Sequence, residues 1–212
     1  MRPSREIFTV IIDWIQRIRE RTPLVIAASV LLLVALFLRS HWMTCSFVHE
    51  SMIWIGALFI AVAICGRTWA IAHVGRRKRW KFVSDGPYSV ARHPLYAFSI
   101  LGAAGISAQT ASFVFMLITV FAAWMIFDRM ARIEEADMAG YFGEPYRSYL
   151  ARTPRFLPKP SLWHAPSGVW VDYSLACRGF CDSSLFAVAV PFFMALRWAH
   201  EAHLIPVLYE LP

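Results

Sequence analysis

Between Gly86 and Tyr96 the chain reads Gly86-Pro87-Tyr88-Ser89-Val90-Ala91-Arg92-His93-Pro94-Leu95-Tyr96, and farther on it carries a paired carboxylate, Glu134-Glu135, with Arg129 and Arg132 just ahead of it. A carboxylate pair can accept hydrogen bonds from ribose hydroxyls or hold a positive group. Arg92, Arg129, Arg132 and the earlier Arg67 can hold an anion such as a carboxylate or phosphate. His93 can serve as a general base or as a hydrogen-bond partner of a bound cofactor. Each residue also has a plainer role: two glutamates after an apolar helix suit a solvated face, and His-Pro suits a helix start. Brought to one membrane face, the set suits a polar, water-soluble cofactor on one side and a lipid-borne substrate on the other.

The elements around these residues predict that convergence. Pro87 and Pro94 bias the residues before them away from the helical region, so Gly86 to His93 reads as a fixed, extended loop. Pro94 then stands at the first turn of a helix. From Pro94 to Phe127 there is no Asp, Glu, Lys or Arg. That run is too long for one crossing at ~1.5 Å per residue, so it reads as a helical hairpin turning near Gln109, with a short first arm. Leu24 to Leu38 and Ser51 to Val74 supply two earlier spans. Arg67 lies in the second, either facing a cavity or partner or snorkelling to the interface. Asp128 to Tyr149 is polar and helix-prone. Ser183 to Trp198 is apolar again, a fifth span or a surface helix, with Pro191 in its middle. Ser4 to Glu20 is amphipathic and suits a helix in the membrane interface or one packed on the protein's own cytosolic face.

Basic residues set the orientation. They cluster at Arg2 to Arg21, at Arg76 to Lys81 with Arg92, and from Arg129 to Lys159, whereas the first loop has only Arg39 and the hairpin turn has none. The pattern runs in, out, in, out, in. It puts the N-terminus, the Arg92–Tyr96 stretch and Glu134–Glu135 on the cytosolic side, at the open ends of one hairpin.

Composition agrees. Of 212 residues 58% are hydrophobic and 17% charged, with mean hydropathy +0.50. A soluble domain is about 25% charged, so this is the balance of an integral membrane protein. The net charge of +7 lies in short clusters flanking apolar runs, with no groove-reading motif, which argues against nucleic-acid binding. Cys45, Cys65, Cys177 and Cys181 form neither a disulfide framework nor a zinc set. His200 and His203 are three apart, not the four of the His-Glu-x-x-His zinc motif, and read as interfacial histidines.

Gly86-Pro87-Tyr88, Arg92-His93-Pro94-Leu95-Tyr96, Glu134-Glu135 and the following Tyr141-Phe142-Gly143-Glu144-Pro145-Tyr146 and Tyr149 resemble the isoprenylcysteine carboxyl methyltransferase family, with phospholipid methyltransferases as more distant relatives. Cys65-Gly66-Arg67-Thr68-Trp69-Ala70 and Gly75 resemble that family's preceding helix. The similarity spans about Gly56 to Pro158. It implies an all-α, polytopic membrane protein with four to five transmembrane helices, a helical hairpin and a cytosolic cofactor pocket. It also implies an S-adenosylmethionine-dependent methyltransferase, without a Rossmann domain or metal, whose partners are a lipid-like methyl acceptor in the bilayer and membrane lipids. By motif, Trp80, Lys81, Phe82, Val83, Tyr88, His93, Pro94, Leu95, Tyr96 and Glu134 would bind the cofactor. Arg67, Arg92, Arg129, Arg132 and Glu135 are the candidates for the acceptor and the chemistry. Two departures stand out: Met130 falls where the family has its acceptor arginine, and Phe98 where it often has glycine. The expected divisions are 1–22 (interfacial helix), 23–158 (methyltransferase core) and 159–212 (extension with an apolar helix at about 183–200). Rival readings are an NADPH-dependent membrane reductase of the sterol type, a non-catalytic protein that keeps the fold, and a transporter.

Overall fold

A computed structural model describes residues 26, 29–40, 46–74, 82–164, 173–207 and 209–211. The amphipathic N-terminal segment and the basic run Arg76–Lys81, with the candidates Trp80 and Lys81, lie outside the described residues. The fold is all-helical apart from one short pairing. Residues 29–36 are helical (α1). There follow α2 (Phe47–Val74), α3 (Pro87–Val90), α4 (Pro94–Ala108), α5 (Phe113–Phe142), α6 (Glu144–Arg152), α7 (Tyr173–Ser184) and α8 (Ala189–Glu201). A 3-10 turn, Leu185–Val188, joins α7 to α8, so Tyr173–Glu201 runs as one long apolar unit. It begins ten residues before the apolar stretch that marks it in the sequence. Strands β1 (Leu38–Ser40) and β2 (Tyr209–Leu211) pair in parallel, with Leu38 opposite Tyr209.

Among the described residues three units are long and apolar enough to cross a bilayer: Phe47–Val74, Phe113–Phe142 and Tyr173–Glu201. Helix α4, with 15 residues, is only about 22 Å long at ~1.5 Å per residue, short of a ~30 Å hydrocarbon core. It sits centrally, packed on both α2 and α5, while α7 lies along α2. In lipid no hydrophobic force drives helices together, so close packing needs small residues. Gly56 and Gly105 supply it: a Cβ on Gly105 would stand 2.7 Å from the Gly56 carbonyl oxygen. At the far end Ala35, Phe115, Phe193 and Leu196 form a core joining α1, α5 and α8.

The hairpin turns where expected. Helix α4 ends at Ala108 and Ser112 caps α5 by accepting from the Phe115 N–H at 3.2 Å. Gln109 is fully buried, and its Nε2 donates to the Ile53 carbonyl at 3.1 Å. Arg197 Nη1 donates to the Gln109 carbonyl at 2.8 Å, tying α8 to the turn. His200 Nε2 donates to the Leu36 carbonyl at 2.9 Å, so this histidine holds two helices together.

One local expectation is corrected. Gly86 to His93 is not extended throughout, because Pro87–Val90 forms a helical turn. Proline at the first helical position has its φ already set and loses no intrahelical bond there. Gly86 makes the entry at φ +57°, a conformation natural to glycine. A Cβ there would also collide with the His73 ring.

Candidate active site

The motif loop is pinned from the side by the segment after α6. The N–H groups of Arg92 and His93 donate to the carbonyls of Pro154 (2.8 Å) and Arg155 (3.0 Å), and Lys159 N donates to the Val90 carbonyl at 2.9 Å. Gly86 N donates to the His164 carbonyl at 3.0 Å, and His164 N to Ser89 Oγ at 3.2 Å. Tyr149 of α6 donates its hydroxyl to the Tyr88 carbonyl at 2.6 Å. These bonds satisfy backbone groups that no helix ladder takes up. His93 caps α4 without a side-chain bond to its own helix, which leaves the imidazole free.

Helix α5 presents Phe127, Ala131 and Glu135 along one buried face, four residues apart. Tyr96 lies between His93 and Phe127, with ring centroids 5.2 and 5.1 Å away. Its hydroxyl donates to Glu134 Oε2 at 3.1 Å. His93 Nε2 meets Glu135 Oε1 at 3.1 Å, and its Nδ1 is 3.6 Å from Glu134 Oε2. The two carboxylates thus bracket one imidazole.

Glu135 has a further partner that the sequence reading did not single out. Arg155 grips it with two bonds, Nε to Oε1 at 3.0 Å and Nη2 to Oε2 at 2.7 Å, while Nη1 donates to Asp128 Oδ1 at 2.6 Å. Arg132 holds the other Asp128 oxygen at 2.7 Å. The hydrogen bond from Glu135, with a smaller one from Asp128, raises the Arg155 pKa, so the guanidinium stays charged. Such a fork fits a carboxylate in a way lysine cannot match.

A cavity of about 80 Å³ opens beside this network and widens into open solvent at its mouth. Its walls come from the end of α2 (Val74), from Phe82 and Val83, from Tyr88, Arg92, His93, Leu95 and Tyr96, from Glu134 and Met138 of α5, and from Tyr146 and Tyr149 of α6. Burial, then the nearby Glu135 and Glu134, push the Tyr146 phenol up to about 12. Burial likewise raises Tyr88 and Tyr149, so the phenols stay neutral donors.

Of the candidates drawn from the sequence, the cavity gathers Phe82, Val83, Tyr88, Arg92, His93, Leu95, Tyr96 and Glu134. Pro94 and Glu135 stand directly behind them, Pro94 opening α4 and Glu135 against His93. Three arginines are elsewhere. Arg132 is exposed on Asp128, and Arg129 is exposed and does not line the cavity. Arg67 donates to Ser99 Oγ and, at 3.1 Å, to Ser183 Oγ, with its guanidinium 5.3 Å from the Phe186 ring centroid. It joins α2, α4 and α7 and is no wall of the cavity. Phe98 fills the notch at Gly66, where a Cβ would strike its ring. The sequence reading passed over Val74, Met138 and Arg155. It quoted Tyr146 and Tyr149 only as part of a motif, although their three-residue spacing puts both on one face of α6. Among the described residues no three His, Cys, Asp or Glu side chains group as a metal site.

The phospholipid methyltransferase family model matches residues 51–145, from α2 into α6, which include both motif stretches. A nickel-cobalt-cadmium resistance protein (NccN) of Alcaligenes xylosoxydans is 29% identical over 187 residues, covering 88% of this chain and 87% of that protein. A cobalt-zinc-cadmium resistance protein (CzcN) of Cupriavidus metallidurans is 33% identical over 151 residues, covering 71% and 69%. A protein-S-isoprenylcysteine O-methyltransferase of Schizosaccharomyces pombe is 30% identical over 92 residues, covering 42% and 39%. No solved structure matches the chain. With its apolar helices, its hairpin and both motif stretches in place, the chain belongs to the isoprenylcysteine carboxyl methyltransferase-like family of integral membrane methyltransferases, allied to the phospholipid methyltransferases.

Proposed function

We propose that the protein transfers a methyl group from S-adenosylmethionine to a lipophilic acceptor held in the bilayer, at the cytosolic end of the bundle. The observation that carries this reading is the cavity itself. The Arg92–Tyr96 loop and Glu134 line one space at the end of apolar helices. The residues present fit the cofactor: aromatic faces of Phe82, Tyr88 and Tyr149 suit adenine and a sulfonium cation. Glu134 suits ribose hydroxyls or the ammonium group. His93 and Tyr96 fix the Glu134 carboxylate in place, while Leu95 and Val74 give the cavity an apolar rim on the membrane side.

When bound, the cofactor supplies an already activated methyl group, so the protein's work is positioning and charge complementarity. Arg92, in the cavity wall, is the acceptor's anion contact in this reading, and it takes the part expected of Arg67, Arg129 or Arg132. Its Nε is buried 3.5 Å from Glu135 Oε1 without a hydrogen bond, so a ligand would be met by the outer nitrogens of the guanidinium. An anionic head, carboxylate or phosphate, would then need no base; an amine head would have to arrive neutral.

Calorimetric titration of the detergent-purified protein with S-adenosylhomocysteine tests the cofactor. We expect saturable binding that Glu134→Ala weakens about tenfold or more, the scale of a hydrogen bond to a charged group. NADPH binding in its place would support the reductase instead.

Relatives named for cobalt, zinc, nickel and cadmium resistance match most of the chain. We therefore set the methylation within divalent-metal resistance. A deletion strain of the native host should grow poorly on cadmium, cobalt or zinc and be restored by the wild type but not by Glu134→Ala. Restoration by that variant would separate resistance from methyl transfer.

A further inference from the structure

We propose that Arg155 is a positioning residue whose task is to hold Glu135 off Arg92 and so keep Arg92 available in the cavity. The inference rests on the reading of Arg92 as the acceptor contact. Arg92 Nε and Glu135 Oε1 are 3.5 Å apart, close enough to attract but outside hydrogen-bond length. Among the described residues the Arg92 side chain makes one hydrogen bond, and it is long, Nη1 to the Leu150 carbonyl at 3.4 Å. Glu135, only 9% exposed at its side chain, has its oxygens occupied by Arg155 and His93. Arg155 in turn cannot drift, because Nη1 is fixed by Asp128 and its own carbonyl accepts from His93 N.

Two arginines therefore compete for one buried carboxylate, and the one from the strap after α6 wins by geometry. The fork delivers two aligned N–H groups, whereas Arg92 approaches with one atom. Without the Arg155 guanidinium, Glu135 would keep its charge with Arg92 as the nearest cation. A shift of about half an ångström would then turn the loose 3.5 Å ion pair between them into a hydrogen-bonded one. The Arg92 guanidinium would then be drawn away from the cavity although Arg92 itself remained.

This predicts a non-additive pattern that a merely structural role would not give. The probe is phenylglyoxal, with labelling of the Arg92 peptide followed by mass spectrometry in detergent. Arg155→Met should slow Arg92 labelling about tenfold, on the scale of one close buried charge pair. The double variant Arg155→Met/Glu135→Gln should return it to about the wild-type rate, because the competing charge is gone. Arg155→Lys, which keeps charge without the fork, should fall between, and it stands in if Arg155→Met does not fold. Wild-type labelling in Arg155→Met and Arg155→Lys, or a double variant as slow as Arg155→Met, overturns the proposal. S-adenosylhomocysteine titration of the same wild-type sample separates the two ideas. Absent cofactor binding counts against the methyltransferase reading, while the labelling pattern still decides the role of Arg155.

Discussion

The two ends of the helical bundle both bury polar side chains, and they use them differently. At the hairpin end, Gln109, Arg197 and His200 donate to the backbone carbonyls of Ile53, Gln109 and Leu36. The first ties the hairpin turn to α2, the second ties α8 to the turn, and the third ties α8 to the end of α1. At the opposite end the bonds run between side chains, from His93 in the cavity wall to Glu135, Arg155 and Asp128 behind it. Polar groups that satisfy backbone build the fold. Polar groups that hold one another in a fixed array beside a cavity are a means of binding charge. Arg67 bonds side chains, Ser99 and Ser183, but away from the cavity, and there it joins α2, α4 and α7.

That contrast can be broken by mutation. The largest effect is expected for Glu135→Ala, which leaves Arg155 and His93 facing an empty site. Removing one partner of a buried pair costs about 3–5 kcal/mol, so thermal unfolding in detergent should fall well below wild type, and S-adenosylhomocysteine affinity should fall with it. Gln109→Ala should cost less, about 1 kcal/mol for one lost hydrogen bond, since the Ile53 carbonyl keeps its place in the α2 ladder, and leave cofactor affinity alone. Arg67→Met should be the mildest. It removes an intramembrane charge and keeps the apolar volume, so cofactor affinity should stay within about twofold, as for sites that share no partner. If Arg67→Met abolished binding while the protein stayed folded, the division between the two ends would not hold.

Much of this arrangement was visible in the sequence. A charge-free run from Pro94 to Phe127 has to fold back on itself, and the small polar residues around Gln109 mark where. Basic residues flanking the apolar runs then bring Arg92-His93 and Glu134-Glu135 to the same end. Side-chain periodicity and charge are long-range, repetitive signals. Arg155 is invisible to both. It sits in a proline-rich stretch, and its position depends on irregular backbone pairing with the Arg92–His93 loop. The roles of Arg67 and Ser183 depend on α7 lying along α2, a contact across 116 residues. The helical turn at Pro87–Val90 was hidden because proline restrains the residue before it yet favours the helix that it begins; Gly86 resolves the conflict with a positive φ.

The most direct test is transfer of labelled methyl from S-adenosylmethionine into the organic-extractable fraction of membranes holding the protein, with wild type beside Glu134→Ala. The account predicts time-dependent label in lipid-soluble material with wild type and a drop of about tenfold or more in the variant, the loss of one charged contact in the cavity. Equal labelling by folded wild type and folded variant would contradict the assignment of the chemistry to this cavity.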